Sequence, residues 1–230
     1  MCGRYVIEDF QELSETLRQI PFQSFFDFQP NWNAAPSQQL PVIIEADGGL
    51  QMHTMQWGLI PAWLKPGEKP KISPINARSE TIAEKPMFRN LIKRKRCLVP
   101  ANGFYEWKRT GGPKQPFLIH LTDSPIMLMA GLYDEREGAD GEKQGSYTIL
   151  TGPPNDVMAE IHDRQPMIIR PDDVELWMDP EINEVEPLEP LLQPLANKEI
   201  EMYPVSTAVN SVKNNNASLT EPIATQEELL

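Results

Sequence analysis

The sequence predicts a single domain of the α+β class. Short runs of β-branched, aromatic and other apolar residues fill the middle of the chain, and segments with a helical spacing of apolar residues lie around them. In addition, 23 prolines and 13 glycines are spread along the 230 residues, which favours many short elements joined by turns. A chain of this length buries enough surface to fold as one domain without a disulfide or a metal.

The clearest strand signal is a hairpin. Two strand-like runs, 41–44 and 50–57, flank the turn sequence Ala46-Asp-Gly-Gly. Further strands are predicted over 97–100, 104–107, 116–121, 126–133 and 147–151. Short antiparallel strands with helices set around them are typical of the α+β class.

Helices are predicted around these strands. Leu13, Leu17 and Ile20 recur at helical spacing, which predicts a short amphipathic helix over 8–20. Further helices are predicted over 79–93, 154–161, 171–178 and 185–195. The acidic stretch 179–201 is interpreted as a surface excursion, and about residues 221–230 as a frayed tail.

The composition also bears on compartment and cofactors. No run of about 18 apolar residues is available to span a bilayer, and four acidic residues stand in the first twenty in place of a signal peptide. We therefore expect a cytoplasmic protein without a membrane partner. The only cysteines, Cys2 and Cys97, lack metal-ligand spacing, so we expect no disulfide framework, metal or cofactor.

The charge is distributed unevenly. A net charge of −12 argues, as an average, against a nucleic-acid partner. However, residues 62–115 hold thirteen Lys and Arg against four Asp and Glu, whereas residues 170–230 hold three against thirteen. This asymmetry favours a basic surface on an acidic body, although a run such as Lys93-Arg94-Lys95-Arg96 is usually just a solvated face. We expect a monomer.

Cys2 follows the initiator methionine, and a small second side chain is what cellular methionine removal tolerates. An α-amine has a pKa of about 7.7–8.0, against about 10.4 for lysine, so it is the better Schiff-base nucleophile near neutral pH. A 1,2-aminothiol can form an imine with an aldehyde through nitrogen and then close a thiazolidine ring through sulfur. By position alone, Cys2 is more often an incidental thiol at a frayed terminus.

Two further side chains are candidates for proton transfer. His162 stands between Glu160, Asp163 and Arg164, a setting able to poise an imidazole as acid or base; the alternative is a structural histidine at a helix end. Glu106 lies between two aromatic residues in a strand-like run, where burial would raise its pKa and make it a proton shuttle. The alternative is an outward-facing glutamate on a half-exposed strand.

The basic segment also contains groups suited to DNA. The Asn76 amide is able to orient a nucleophile and the Arg78 guanidinium to hold phosphate, although each alone is more often a loop contact. Trp63 and Phe88 lie within this basic segment. Proteins that bind single-stranded DNA use aromatic side chains among cations to stack on its bases. Trp57 is instead predicted to be core.

Taken together, these residues resemble the SRAP family, the SOS response-associated peptidases, and the resemblance runs through most of the chain. Seven elements follow the family's order: Met1-Cys2-Gly3-Arg4-Tyr5, Asn31-Trp-Asn33-Ala-Ala-Pro36, Trp57-Gly58-Leu-Ile-Pro-Ala-Trp63, Ile75-Asn76-Ala77-Arg78-Ser-Glu80-Thr81, Gly103-Phe-Tyr-Glu106-Trp107, Ile161-His162-Asp163-Arg164 and Pro204-Val205-Ser206. The resemblance implies one α+β domain with a curved, barrel-like antiparallel sheet and surrounding helices.

The resemblance also implies a function, which is to crosslink covalently to abasic sites in single-stranded DNA and so shield the lesion in the DNA damage response. It assigns Cys2 as the nucleophile and Asn76 as the residue that positions it. Glu106 and His162 would manage protons. The positions expected near DNA are Arg4, Asn33, Pro36, Trp63, Arg78, Phe88 and Arg89.

Two alternatives remain open. One is a cysteine peptidase, with Cys2 as nucleophile and His162 as base, acting in trans or only removing Met1. The other is a plain single-stranded DNA-binding module without covalent chemistry. The crosslinking hypothesis requires removal of Met1, because an amine blocked by methionine forms no imine, and an aminopeptidase would serve as well as self-cleavage.

Overall fold

Strands form most of the regular structure in this computed structural model, which describes residues 2–8, 13, 29–68, 70–108, 112, 114–138 and 141–224. The strands are β1 (Tyr5–Ile7), β2 (Asn31–Ala34), β3 (Gln39–Ala46), β4 (Gly49–Trp57), β5 (Asn76–Arg78), β6 (Arg96–Ala101), β7 (Gly103–Lys108), β8 (Gln115–Leu121), β9 (Met127–Glu137), β10 (Lys143–Gly152), β11 (Gln165–Pro166), β12 (Ile168–Ile169) and β13 (Ile200–Pro204). All seven strands predicted from the sequence are confirmed.

Five of these strands close into a barrel. In order around it, β4, β3, β6, β9 and β10 are hydrogen-bonded neighbours, and β10 returns to β4. The predicted hairpin is β3–β4, and its turn residues Asp47 and Gly48 have φ of 53° and 79°, as a turn matched to strand twist requires. The closing pair β4–β10 is parallel, with Tyr147 opposite Trp57. The barrel-like fold is therefore confirmed, and its sheet is mixed.

A second, antiparallel sheet has the strand order β13-β8-β7-β1-β2. The strand β1 lies inside it: Tyr5 is opposite Ala34 of β2 on one side and Phe104 of β7 on the other. Because β1 has a neighbour on each side, the residues that precede it are held along β7. This pairing decides where the N-terminal cysteine lies.

The helices are shorter than the sequence predicted. They are α1 (Leu91–Arg94), α2 (Asp156–Ala159) and α3 (Val174–Met178), with 3-10 turns at Ser79–Thr81, Pro171–Asp173, Glu189–Leu191, Asn197–Glu199, Thr207–Asn210 and Ala217–Leu219. Continuous helices over 79–93 and 185–195 were wrong predictions, because Pro86 interrupts the first and three prolines the second. Most of the predicted helix over 8–20 lies outside the described residues.

Two features of the C-terminal third differ from the sequence expectations. The stretch 179–201, interpreted as a surface excursion, ends in the first residues of β13, which pairs with β8. At the predicted frayed tail, the Ile223 amide donates to the Pro204 carbonyl at 3.0 Å, and Pro222 forms a bridge with Val205. Residues 225–230 lie outside the described part of the chain.

One residue of the Lys93–Arg96 run is not on a solvated face. Arg96 is buried, and its guanidinium donates hydrogen bonds to backbone carbonyls of Ile92, Trp177, Asp179 and Ile182. These carbonyls lie at or just beyond the C-terminal ends of α1 and α3, where helix carbonyls lack intrahelical donors. The buried arginine thus satisfies the ends of both helices.

An aromatic cluster joins the second sheet to the barrel. Trp57 is fully buried, which confirms its predicted place in the core. Its ring meets Tyr5 edge-on at 5.0 Å and stacks on Tyr147 at 6.5 Å, and the two tyrosine hydroxyls are hydrogen-bonded at 2.6 Å. Burial raises the pKa of both tyrosines well above the ordinary range, so both hydroxyls stay protonated.

The barrel interior makes one glycine sensitive to substitution. A Cβ added to Gly131 would lie 2.7 Å from Cys97 Sγ and 3.2 Å from the Thr148 carbonyl oxygen. We expect Gly131→Ala to lower the free energy of unfolding by about 1–3 kcal/mol through overpacking, measured by urea denaturation. Gly112→Ala is the control, since no heavy atom of the described residues lies within 4 Å of its added Cβ. Equal stabilities of the two variants would contradict this packing.

Candidate active site

Cys2 lies buried at the start of the second sheet. It has no exposed surface, its thiol lies 3.9 Å from the Arg4 carbonyl oxygen, and that oxygen also accepts from the Tyr105 amide at 3.0 Å. The residue is therefore not a thiol at a frayed terminus. Burial, and then the nearby Glu106 carboxylate, raise the pKa of the Cys2 thiol well above its usual range. At neutral pH the sulfur is a protonated thiol.

Asn76 holds the backbone of Cys2. Its Nδ2 donates to the Cys2 carbonyl at 2.8 Å, while its Oδ1 is buried and accepts no hydrogen bond from the described residues. Asn76 begins β5, which pairs in parallel with β10 at Ile149. An unsatisfied buried acceptor is costly, and a catalytic role is one of the explanations for its retention in a folded protein.

Glu106 lies on β7 beside the cysteine. It is 3% exposed, so its predicted burial is confirmed and the outward-facing alternative is wrong. Its carboxylate contributes to raising the pKa of the Cys2 thiol through their electrostatic interaction. The pairing of β7 with β1 brings this carboxylate to the N-terminal segment, although 104 positions separate the two residues in sequence.

His162 lies in the turn between α2 and β11. Its Nδ1 is 3.0 Å from the Arg164 amide and 2.9 Å from an Asp163 carboxylate oxygen. A neutral imidazole without a proton on Nδ1 accepts from the amide, whereas a protonated Nδ1 donates to the carboxylate. Both contacts fix the orientation of the imidazole ring, whichever nitrogen carries the proton. Glu160, the third predicted neighbour, lies instead 3.9 Å from Lys108 Nζ.

The turn that contains His162 is joined to the 3-10 turn after β5 by an ion pair between buried Arg164 and exposed Glu80. Arg164 is 8% exposed. Both of its terminal nitrogens donate hydrogen bonds to the Glu80 carboxylate, and Nη2 lies 2.8 Å from Oε2. Nη2 also donates to the Thr151 carbonyl. The guanidinium lowers the pKa of Glu80 from 4.5 to about 2. Glu80 was named in the sequence only as part of a family motif, since nothing local indicates a partner 84 positions away.

The predicted DNA contacts differ in exposure. Trp63 is 66% exposed, and Arg78 and Arg89 are also exposed. Pro36, Phe88 and Arg4 are half-buried, and Phe88 packs against the core. Asn33 is buried at 1% exposure and hydrogen-bonded internally.

The structure therefore brings Cys2, Asn76 and Glu106 together directly. His162 is connected to the same region through β10. Thr151 of β10 pairs with Arg78 of β5 and with Pro166 of β11, the strand that follows the His162 turn. Sequence reasoning missed Tyr147, whose hydroxyl bonds to Tyr5, three residues after the cysteine. Among the described residues, no cluster of three or more histidine, cysteine, aspartate or glutamate side chains is placed to hold a metal ion.

The fold and the site combine a mixed five-stranded barrel with buried Cys2, which lies near Asn76 and Glu106. The family described as SOS response associated peptidase (SRAP) matches residues 1–212. The chain belongs to the SRAP family.

Relatives and a solved structure agree with this assignment. The chain is 39% identical over 225 residues to abasic site processing protein YoqW of Bacillus subtilis, covering 96% of this chain and 99% of the relative. It is 33% identical over 232 residues to abasic site processing protein YedK of Escherichia coli, covering 97% and 100%. A crystal structure of a Bacteroides thetaiotaomicron protein matches with a TM-score of 0.84 at 28% identity, covering 97% and 100%.

Within the part of the chain that is described, no helix is both long and apolar enough to cross a bilayer.

The Glu80–Arg164 pair predicts a pH-dependent stability difference. Glu80→Gln should lower the free energy of unfolding at neutral pH, because it leaves a buried guanidinium without its carboxylate. Since the folded-state pKa of Glu80 is about 2 and its ordinary value 4.5, the carboxylate's contribution is complete above pH 4.5. It is lost as the pH falls from 4.5 toward 2.

The measurement is urea denaturation of both proteins at several pH values between 2 and 7. Glu84→Gln is the control, because that carboxylate is exposed on the same segment. A wild-type advantage that stays constant down to pH 2 would argue against the ion pair.

Proposed function

We propose that this protein binds single-stranded DNA at abasic sites and, after removal of Met1, forms a covalent thiazolidine crosslink through Cys2. The names of its relatives state the processing of abasic sites. The observation on which the proposal depends most is the arrangement around Cys2, a buried cysteine whose carbonyl is held by Asn76 at 2.8 Å beside the Glu106 carboxylate. The crosslink would shield the lesion during the DNA damage response.

The chemistry begins with the sugar. An abasic sugar is mostly a closed hemiacetal, with C1′ bonded to the ring oxygen and to a hydroxyl. When His162 donates a proton to the ring oxygen and the C1′ hydroxyl gives its own proton to solvent water, the bond between C1′ and the ring oxygen breaks and an aldehyde forms. The contacts of His162 Nδ1 with the Arg164 amide and the Asp163 carboxylate support this role, since they fix the orientation of the imidazole ring.

Nitrogen attacks next. The Cys2 ammonium gives a proton to Glu106, the neutral amine adds to C1′, and loss of water produces the imine. The Oδ1 of Asn76, which accepts no hydrogen bond from the described residues, offers an acceptor for the new amine. Finally the thiol adds to the imine: a C1′–S bond forms, the sulfur's proton passes to nitrogen, and the five-membered ring closes.

The protonated Cys2 thiol favours attack by nitrogen before sulfur, and disfavours a peptidase mechanism, in which sulfur attacks first. A cysteine peptidase needs a thiolate, which enzymes obtain by lowering the cysteine pKa with a nearby cation or a helix N-terminus. Here burial and a carboxylate raise the pKa of Cys2. Such a sulfur is a poor first nucleophile for a peptide bond but is suited to a late addition to an electrophilic imine.

The word peptidase in the family description supports a second candidate, a cysteine peptidase that uses Cys2 either to remove Met1 or to act in trans. A peptidase acting in trans cleaves added peptides repeatedly, whereas self-removal of Met1 occurs once per chain. Intact-mass measurement of protein made without methionine aminopeptidase, together with a peptide-cleavage assay, separates them.

The first functional prediction concerns the two nucleophilic atoms of Cys2. Wild-type protein lacking Met1 should give a denaturation-resistant adduct with an oligonucleotide containing one abasic site, and none with intact DNA. Cys2→Ser keeps the amine but loses the sulfur, so it should give only an imine that survives denaturing gels after borohydride reduction. Cys97→Ala is the matched control and should still crosslink, because Cys97 lies buried on β6.

The outcome separates the hypotheses. If wild-type protein with a free Cys2 amine forms no adduct, the crosslinking proposal fails. Equal affinity for intact and abasic strands would favour the plain DNA-binding module.

The second functional prediction concerns proton transfer. Glu106→Gln and His162→Ala should each slow adduct formation by about 10²-fold, a typical contribution of a positioned acid or base. Both should leave binding to a non-reactive tetrahydrofuran analogue of the abasic site nearly unchanged. Rates are measured by quenched single-turnover reactions over a range of pH. Losses that appear in binding and not in rate would assign these residues to recognition.

A further inference from the structure

Residues 207–214 form a loop that is hydrogen-bonded to Arg4, two positions after the proposed nucleophile. The loop consists of the 3-10 turn Thr207–Asn210 and residues 211–214. Asn33 donates from Nδ2 to three of its carbonyls, at 3.2 Å to Val209, 3.0 Å to Ser211 and 2.9 Å to Asn214. Because an amide has two hydrogens, these three acceptors take all of its donor capacity.

Two neighbours of the candidate site also hold this loop. Arg4, two positions after Cys2, donates to the Val209 carbonyl at 3.1 Å and to Asn33 Oδ1 at 2.8 Å. Trp107, the residue after Glu106, donates from its indole nitrogen to Asn210 Oδ1 at 2.7 Å. The loop is therefore held by three side chains: Arg4 just before β1, Asn33 of β2 and Trp107 of β7.

The outer side of the loop presents an apolar and a cationic side chain. Val212 is 50% exposed, and Lys213 is exposed. Lys213 is one of only three Lys and Arg residues in the acidic region 170–230. Arg170 is paired with Glu199 at 2.8 Å, whereas Lys213 has no ion-pair partner among the described residues. An unpaired ammonium on a rigid loop next to the site is suited to a phosphodiester.

We propose that the 207–214 loop is part of the single-stranded DNA-binding surface, in which Lys213 contacts a backbone phosphate and Asn33 acts as a positioning residue. This inference rests on the proposed function. Asn33, expected from the family resemblance to lie near DNA, affects binding through the loop whose carbonyls it holds. Val212 lies beside the ammonium and contacts a sugar or base face.

The first test is the salt dependence of binding. Fluorescence anisotropy with a single strand containing the tetrahydrofuran analogue measures affinity without crosslinking. Lys213→Gln should weaken binding and reduce the slope of log affinity against log salt by about 0.7, the value for one phosphate contact with a single strand. Lys198→Gln, an exposed lysine of the same acidic region, should leave the slope unchanged.

The second test is a double-mutant cycle. If Asn33 acts by positioning the loop, Asn33→Ala should reduce the slope as Lys213→Gln does, and adding Lys213→Gln should change it no further. Additive losses would show instead that Asn33 contacts DNA directly. Thermal melting establishes that each variant is folded at the assay temperature.

The outcomes also separate this inference from the proposed function. Suppose that wild-type protein binds the analogue and that Lys213→Gln, like Lys198→Gln, leaves the affinity and the salt slope unchanged. This result overturns the role of the loop and leaves the crosslinking proposal standing. Wild-type protein that binds no single strand overturns both. Because Lys213 is on the surface, the first test stays decisive even if Asn33→Ala fails to fold.

Discussion

The pairing of β1 on both of its edges is the constraint on which the rest of the structure depends. Terminal residues usually fray, because nothing repays the entropy of ordering them. Here a three-residue strand lies between β2 and β7, and all three of its residues are buried. Tyr5 adds a hydrogen bond to Tyr147 of the barrel. The cysteine that precedes this strand is consequently held as firmly as a core residue.

The electrostatics of the site follow from that burial. Removing Cys2 from water and placing it near Glu106 raises the pKa of its thiol and keeps the sulfur protonated. Under the proposed reaction, this protonation disfavours sulfur as the first nucleophile and leaves the first attack to nitrogen. Asn76 leaves one buried acceptor unused, which is consistent with a site that is completed only by a reacting group.

Ion pairing and backbone hydrogen bonds link the sheets to the surrounding turns. Arg164 joins the His162 turn to Glu80, and Asn33 joins β2 to the 207–214 loop. In both cases one buried polar side chain satisfies several partners at once, which is the condition under which buried polar groups are retained. The basic segment then contributes exposed cations on a body whose net charge is −12. Local charge, and not the total, decides whether such a surface suits DNA.

The sequence by itself determined the strand-rich α+β class, the β3–β4 hairpin and the burial of Trp57, because alternation, turn residues and apolar character are local signals. Residue types likewise identified Cys2, Asn76, Glu106 and His162 as candidates. The sequence overestimated helices, because apolar spacing at 79–93 and 185–195 did not outweigh the prolines within them.

Tertiary structure alone decided the parallel closure of the barrel, the protonated state of the Cys2 thiol and the internal role of Asn33. Each of these depends on contacts between residues 90 or more positions apart, such as Trp57 and Tyr147, or on burial that such contacts create. A single sequence contains no local signal for such pairings, since strand direction, burial and hydrogen-bond partners are properties of the assembled sheets.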